Sequence, residues 1–153
     1  MARILIADDD SAIASLASDV LMDAGYACGW VNTAEECQQV LRRKRPDLLL
    51  LDHSFPGMSG MTLLRQLRRS PRFYDLPVIM FTAISGEADE AQAIYAGAQD
   101  FIRKPFDPLW LVRKVQRQLV RREGRPRHVD LASALLGHDR PHPALEPQLK
   151  RLI

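Results

Sequence analysis

Long apolar runs are missing from this 153-residue chain; none approaches the roughly twenty residues that a membrane-spanning helix needs, so no membrane span is expected. The opening MARILIADDD reads as a strand and lacks the charged-then-apolar layout of a secretory signal, so a cytoplasmic protein is expected. Cysteine is scarce. Cys28 and Cys37 form neither a CxxC nor another metal-ligand cluster and read as reduced thiols. No glycine-rich phosphate loop follows the first strand, which argues against a nucleotide-binding Rossmann domain. Repeats and low-complexity segments are absent too.

Charge of one sign is lacking over most of the chain. Residues 1–120 carry 14 Lys/Arg against 15 Asp/Glu, a net of −1. Residues 121–153 carry 7 against 4, a net of +3, with four of the ten prolines, three of the four histidines and no aromatic residue. That shift predicts a domain over 1–121 and a basic, proline-containing tail or linker over 122–153. A +3 charge spread over that length reads as a solvated linker, and no direct nucleic-acid binding is expected of it. VDLASALL, capped by Asp130, and the stripe Leu145, Leu149, Leu152 predict at most two short helices there.

What the first 121 residues do have is strict alternation. ILIA (4–7), CGWV (28–31), DLLLL (47–51), PVIMF (77–81) and DFI (100–102) read as strands, several apolar throughout, as strands covered on both faces must be. Between them run helical stripes: Ile13, Leu16, Val20 and Leu21, stopped by Gly25; Val40 and Leu41 in a helix from about Ala34; Leu63, Leu64 and Leu67. Ala88, Ala91 and Ile94 follow, ended by Gly97. The last is Leu111, Val112, Val115 and Leu119, after Pro108 in the first turn. Such β–α alternation implies a doubly wound α/β domain with a five-stranded parallel sheet.

In a sheet of this kind ligands bind beyond the carboxyl ends of the strands. Strand one ends in Asp8, Asp9 and Asp10, strand three in Asp52, strand four in Thr82, and Arg103 and Lys104 follow strand five. Asp10, just before SAIASL, reads as a helix N-cap and is set apart from the site. Gathered carboxylates repel unless a cation sits among them, and oxygen-only ligands point to a hard ion such as Mg²⁺. A lysine and a threonine converging on that cluster suit phosphoryl oxygens.

The motifs ILIADDD, DLLLLDHSFPGMSG, PVIMFTA and GAQDFIRKPF, over about residues 2–121, resemble those of the receiver domain of a two-component response regulator. The resemblance implies a flavodoxin-like (βα)5 fold with strand order 2-1-3-4-5. It makes Asp52 the acceptor of a phosphoryl group from a histidine kinase or histidine phosphotransfer protein. Asp8 and Asp9 would hold Mg²⁺ with Asp52 and the backbone carbonyl of Ser54. Thr82 would bond the phosphoryl group, Lys104 would pair with it, and Phe101 would turn inward as the switch aromatic. Pro105 matches a proline whose preceding peptide is usually cis, an arrangement that would aim Lys104 at the site. The face made by helix four, strand five and helix five would then change, to control a partner, an output domain or a homodimer. On this reading the chain is no enzyme beyond its own phosphotransfer and dephosphorylation.

Two other readings compete. An aspartate-nucleophile phosphatase of the haloacid dehalogenase type needs a second aspartate two residues after the nucleophile, where Ser54 stands. A pseudo-receiver that takes no phosphate sits poorly with the complete set Asp8, Asp9, Asp52, Thr82 and Lys104. His53, next to the acceptor, is expected to point away from it by strand alternation. Ser54 and Ile84 occupy positions that in the family tune phosphoryl lifetime. Tyr95 and Trp110 are expected near the switch face. Gln99 stands where the family often has an acid, and nothing is expected to depend on it.

Overall fold

The computed structural model describes residues 1–83 and 87–123, without the side chains of 87–90 and 121–123. Ile84 and the short helices expected over 130–136 and 145–152 lie outside the described residues. Five strands, β1 (Arg3–Ala7), β2 (Ala27–Val31), β3 (Leu48–Asp52), β4 (Val78–Thr82) and β5 (Asp100–Arg103), alternate with five helices. These are α1 (Ser11–Asp23), α2 (Ala34–Arg43), α3 (Gly60–Arg68), α4 (Glu87–Tyr95) and α5 (Pro108–Glu123). All strand pairs are parallel, in the order β2-β1-β3-β4-β5. Strand order reverses between β1 and β3, and a crevice opens at that point beyond their carboxyl ends.

Side-chain alternation sends each strand's residues to two layers. Leu49, Leu51, Val78 and Met80 pack with α2, α3 and Ala93 of α4. Ile4, Ile6, Leu48, Leu50, Ile79 and Phe81 pack with α1 and α5. The central strands β3 and β4 are buried at every position, as the leucine run predicts. The edges differ. On β2, Gly29 and Trp30 are exposed, because an edge strand has no second neighbour to cover it.

Local chemistry fixes the helix ends. Asp10 caps α1, its side chain accepting from the Ala12 and Ile13 amides; Thr33 caps α2 and Ser59 caps α3 in the same manner. Asp107 accepts from Leu109 N at 2.8 Å ahead of α5, whose first residue is Pro108. Gly25 and Gly97 adopt φ of 102° and 113° just after α1 and α4, where an L side chain would be strained.

Three sequence expectations need correction. Leu16, assigned to the buried stripe of α1, is 51% exposed, and the sheet is met instead by Ala14, Ala17, Ser18 and Leu21. Small residues let the helix approach the sheet closely, which turns Leu16 outward. On α4, Ile94 and Ala91 are exposed and Ala93 is buried, because this helix lies over the β5 edge and presents a narrow face. Gln99 carries structure after all. Its side-chain oxygen accepts from Val78 N at 2.6 Å and from the Arg68 guanidinium at 2.9 Å. Arg68 also donates to Gly97 O at 2.8 Å and Phe73 O at 3.0 Å, tying α3 to the turn before β5.

Candidate functional site

Register brings the strand ends level. Ala7 pairs with Leu51, so Asp8 follows β1 at the height where Asp52 ends β3; Asp52 pairs with Phe81, and Thr82 with Arg103. Backbone bonds extend the alignment past the strands, from Asp8 N to Val31 O, His53 N to Phe81 O, and Lys104 N to Thr82 O at 2.8 Å. Carboxylate oxygens of Asp8, Asp9 and Asp52 thereby lie within 4.8 Å of one another.

Asp8 is fully buried, Asp52 is 4% exposed and Asp9 faces solvent. The Lys104 ammonium sits 2.7 Å from Asp8 Oδ2 and 3.2 Å from Asp52 Oδ1. Asp8 Oδ1 accepts from Asp10 N at 2.9 Å, holding the loop that leads into α1. Asp52 Oδ1 is 3.4 Å from the Ser54 amide, a long bond that turns the chain back over the carboxylate. The Lys104–Pro105 peptide is cis, and Gly57 has φ of 84° in the turn after β3. A cleft of about 480 Å³ opens above, lined among others by Asp9, Asp52, Ser54, Ala83, Lys104 and Pro105.

Burial pushes the Asp52 carboxyl up to about 7, and the neighbouring Asp8 charge adds to the rise while Lys104 opposes it. Burial alone would lower Lys104, but its close pairing with the Asp8 and Asp52 carboxylates outweighs that and raises it. One ammonium therefore faces more carboxylate charge than it neutralises. Asp8 Oδ2 makes the point at atomic scale. Though only 2.7 Å from Lys104, it receives no well-directed hydrogen bond among the described residues and is buried from water. A buried oxygen without a directed donor, in a set made only of oxygens, fits a hard divalent cation such as Mg²⁺.

Thr82 is buried at the end of β4. Phe101 is half-buried on β5, opposite Met80, and packs with the α2–α3–α4 layer. Alternation puts Thr82 and Phe101 on that same face, on neighbouring strands. His53 takes the opposite parity to Asp52, and its Nδ1 is buried without a hydrogen-bond partner among the described residues. One residue that shapes the Asp52 strand end escaped the sequence reading. Gly60 packs so tightly that a Cβ there would lie 1.9 Å from the Asp52 carbonyl oxygen, while Gly60 N donates to His53 O. The signal was available in PGMSG: a small residue opening a helix right after a strand end.

The model of the response regulator receiver domain family matches residues 4–116. The phosphate regulon transcriptional regulatory protein PhoB of Pseudomonas aeruginosa is 39% identical over 121 residues, 79% of this chain and 52% of that protein. The DNA-binding response regulator MtrA of Mycobacterium tuberculosis is 36% identical over 124 residues, 81% of this chain and 53% of that one. The chain thus spans about half the length of these curated relatives. Among solved structures, a CheY-like receiver domain protein from Methanospirillum hungatei superposes with a TM-score of 0.74 at 30% identity, covering 81% of this chain and 98% of that one. The chemotaxis response regulator CheY4 of Vibrio cholerae gives 0.73 at 27%, covering 77% and 98%.

Proposed function

The chain belongs to the response regulator receiver domain family, and from that premise we propose that it is a phosphorylation-dependent signalling module whose acceptor is Asp52. One observation carries the reading. A buried carboxylate ends β3 at the floor of an open cleft, with two further carboxylates within 4.8 Å and an ammonium 3.2 Å away.

In the proposed transfer a carboxylate oxygen of Asp52 attacks the phosphorus of a phosphohistidine on a histidine kinase or phosphotransfer protein. The phosphorus–nitrogen bond breaks, and the imidazole departs with the bonding electron pair. Positioning and charge neutralisation do most of the work in such a step. The rigid strand supplies the first and Lys104 part of the second. Asp8, Asp9, Asp52 and the Ser54 carbonyl would hold Mg²⁺, which when bound supplies the positive charge that a dianionic phosphoryl group needs. Lys104, already 3.2 Å from Asp52, would bond a phosphoryl oxygen afterwards, and Thr82 from β4 another. Phosphorylation changes a charge of −1 to about −1.5 to −2 by analogy with other phosphoresidues. Thr82 and Phe101 share a face, which supports a switch in which the threonine moves to the phosphoryl group and the ring turns into the space beside it.

The output surface is the face of α4, β5 and α5. Tyr95 is 94% exposed, and Ile94, Leu109 and Trp110 are exposed with it, an apolar set suited to a partner or a second copy. Incubation with acetyl phosphate and Mg²⁺ tests the core claim: intact mass rises by one phosphoryl group in the parent and not in Asp52→Asn. Undiminished labelling of Asp52→Asn would refute it.

A further inference from the structure

A single ammonium on α5 reaches round the open edge of the sheet to Phe101. Lys114 Nζ donates to Asp100 Oδ1 at 2.8 Å and to Phe101 O at 3.0 Å, and lies 5.0 Å from the centroid of the Phe101 ring. The same Asp100 oxygen accepts from Phe101 N at 2.8 Å. Among the described residues β5 pairs only with β4, so these outward backbone groups have no strand partner there and are satisfied by the Lys114–Asp100 pair instead. The ring belongs to the other layer of the fold, packing with the α2–α3–α4 core, whereas α5 packs on the opposite face of the sheet. The lysine stem therefore bridges the two layers at the point where the aromatic sits.

We infer that Lys114 is a positioning residue that holds the Phe101 ring at the sheet edge and opposes its inward rotation. The inference rests on the switch role proposed for Phe101. Three contacts meet at this ammonium, and they behave differently when the ring turns. The bonds to Asp100 and to the Phe101 carbonyl involve groups that rotation of the ring leaves in place. The cation–ring contact is lost. Only an interaction that differs between two states biases their equilibrium, so the ring contact is the one that matters. Removing the charge should favour the inward ring by about 2- to 30-fold, the span from exposed to desolvated cation–π contacts. Through linkage, the equilibrium at Asp52 shifts in the same direction by at most that factor.

The test reads the ring itself. A 4-fluorophenylalanine is incorporated at position 101, and its fluorine resonance is compared in the unphosphorylated full chain and in Lys114→Met, Lys114→Gln and Lys114→Arg. Lys114→Gln retains a donor for the Phe101 carbonyl but no charge, and so separates edge capping from the cation–ring contact. Lys114→Met and Lys114→Gln should both move the resonance toward that of the parent treated with acetyl phosphate and Mg²⁺; Lys114→Arg should leave it in place. Circular-dichroism melts of all four confirm that folded proteins are compared. A resonance in Lys114→Met and Lys114→Gln that coincides with the untreated parent overturns the inference. Mass gain at Asp52 is scored in the same parent sample. Gain without movement of the parent resonance overturns the switch role of Phe101, and the positioning role with it. Absence of gain refutes the acceptor assignment separately, and an unmoved resonance in untreated Lys114→Met and Lys114→Gln still overturns the positioning role.

Discussion

Asp52 is held in an environment that disfavours its own charge, and that has a consequence for stability. Its carboxyl is raised from an ordinary 3.8 to about 7 by burial and by Asp8. Between those values the unfolded chain has released the proton and the folded chain retains it, so folding becomes less favourable as pH rises through this window. Above about 7 the whole penalty is present, on the order of a few kcal/mol before relaxation reduces it. Asp52→Asn should therefore melt higher than the parent in metal-free buffer at pH 8, with the difference shrinking toward zero near pH 4. Thermal melts across that range, with and without Mg²⁺, check this; a difference that grows on acidification would contradict it. Gly60 gives a second prediction at the same scale. Gly60→Ala drives a methyl group into the Asp52 carbonyl, and backbone cannot yield as a side chain can. Overpacking of this kind costs about 1–3 kcal/mol, and the displaced Asp52, the proposed acceptor, should also take label from acetyl phosphate more slowly, which mass spectrometry over time would show.

Between elements, β4 and β5 are joined at both ends by groups that the strands do not contain. At the carboxyl end Lys104 N bonds Thr82 O, and at the amino end Gln99 bridges Val78 N and Arg68. Burial pulls the Arg68 guanidinium down to about 10, which still leaves it charged and donating at neutral pH. Gln99→Leu keeps the bulk but strands the Val78 amide and one Arg68 donor. A loss of about 1–3 kcal/mol is expected for buried donors left unsatisfied, measured by urea unfolding; an unchanged midpoint would mean water replaces the side chain. At the other end, Thr82→Ala should still accept phosphate but transmit poorly, because the nucleophile and its carboxylate neighbours remain while the hydroxyl is gone. Phosphorylation followed by amide shifts at Phe101 tests this, and normal shifts in the variant would count against the route.

For the whole molecule, Met1–Arg121 forms one compact unit with both core layers complete. No helix among the described residues is long and apolar enough to cross a membrane. The proposed division at residue 121 follows from the composition of the tail. Segments this poor in aromatic residues rarely bury enough surface to offset ordering costs of about 1–2 kcal/mol per residue. A truncation after Arg122 should fold and take label as the full chain does, judged by melting, mass and sizing. Loss of folding would make the tail part of the core, and loss of a dimer with folding intact would give it an associative role.

The order of elements, the parallel sheet and the chemistry gathered at its edge are legible in the residues alone. Those follow from short-range facts: apolar runs of strand length, helical periodicity, Pro108 and Gly25 at helix ends, and acids immediately after strands. Asp52 is legible because a carboxylate closing the run LLLL has no structural reason to be there. The rest depends on which surfaces meet in the folded chain. Leu16 and Ile94 look like core and are not, since a helix chooses its buried face by how closely it can approach the sheet. Gln99, Arg68, Gly60 and Lys114 look unremarkable in sequence, yet each acts on a residue distant along the chain or on a backbone atom. Periodicity reports the character of a side chain, whereas its partners are fixed by register and packing, and those exist only once the chain is folded.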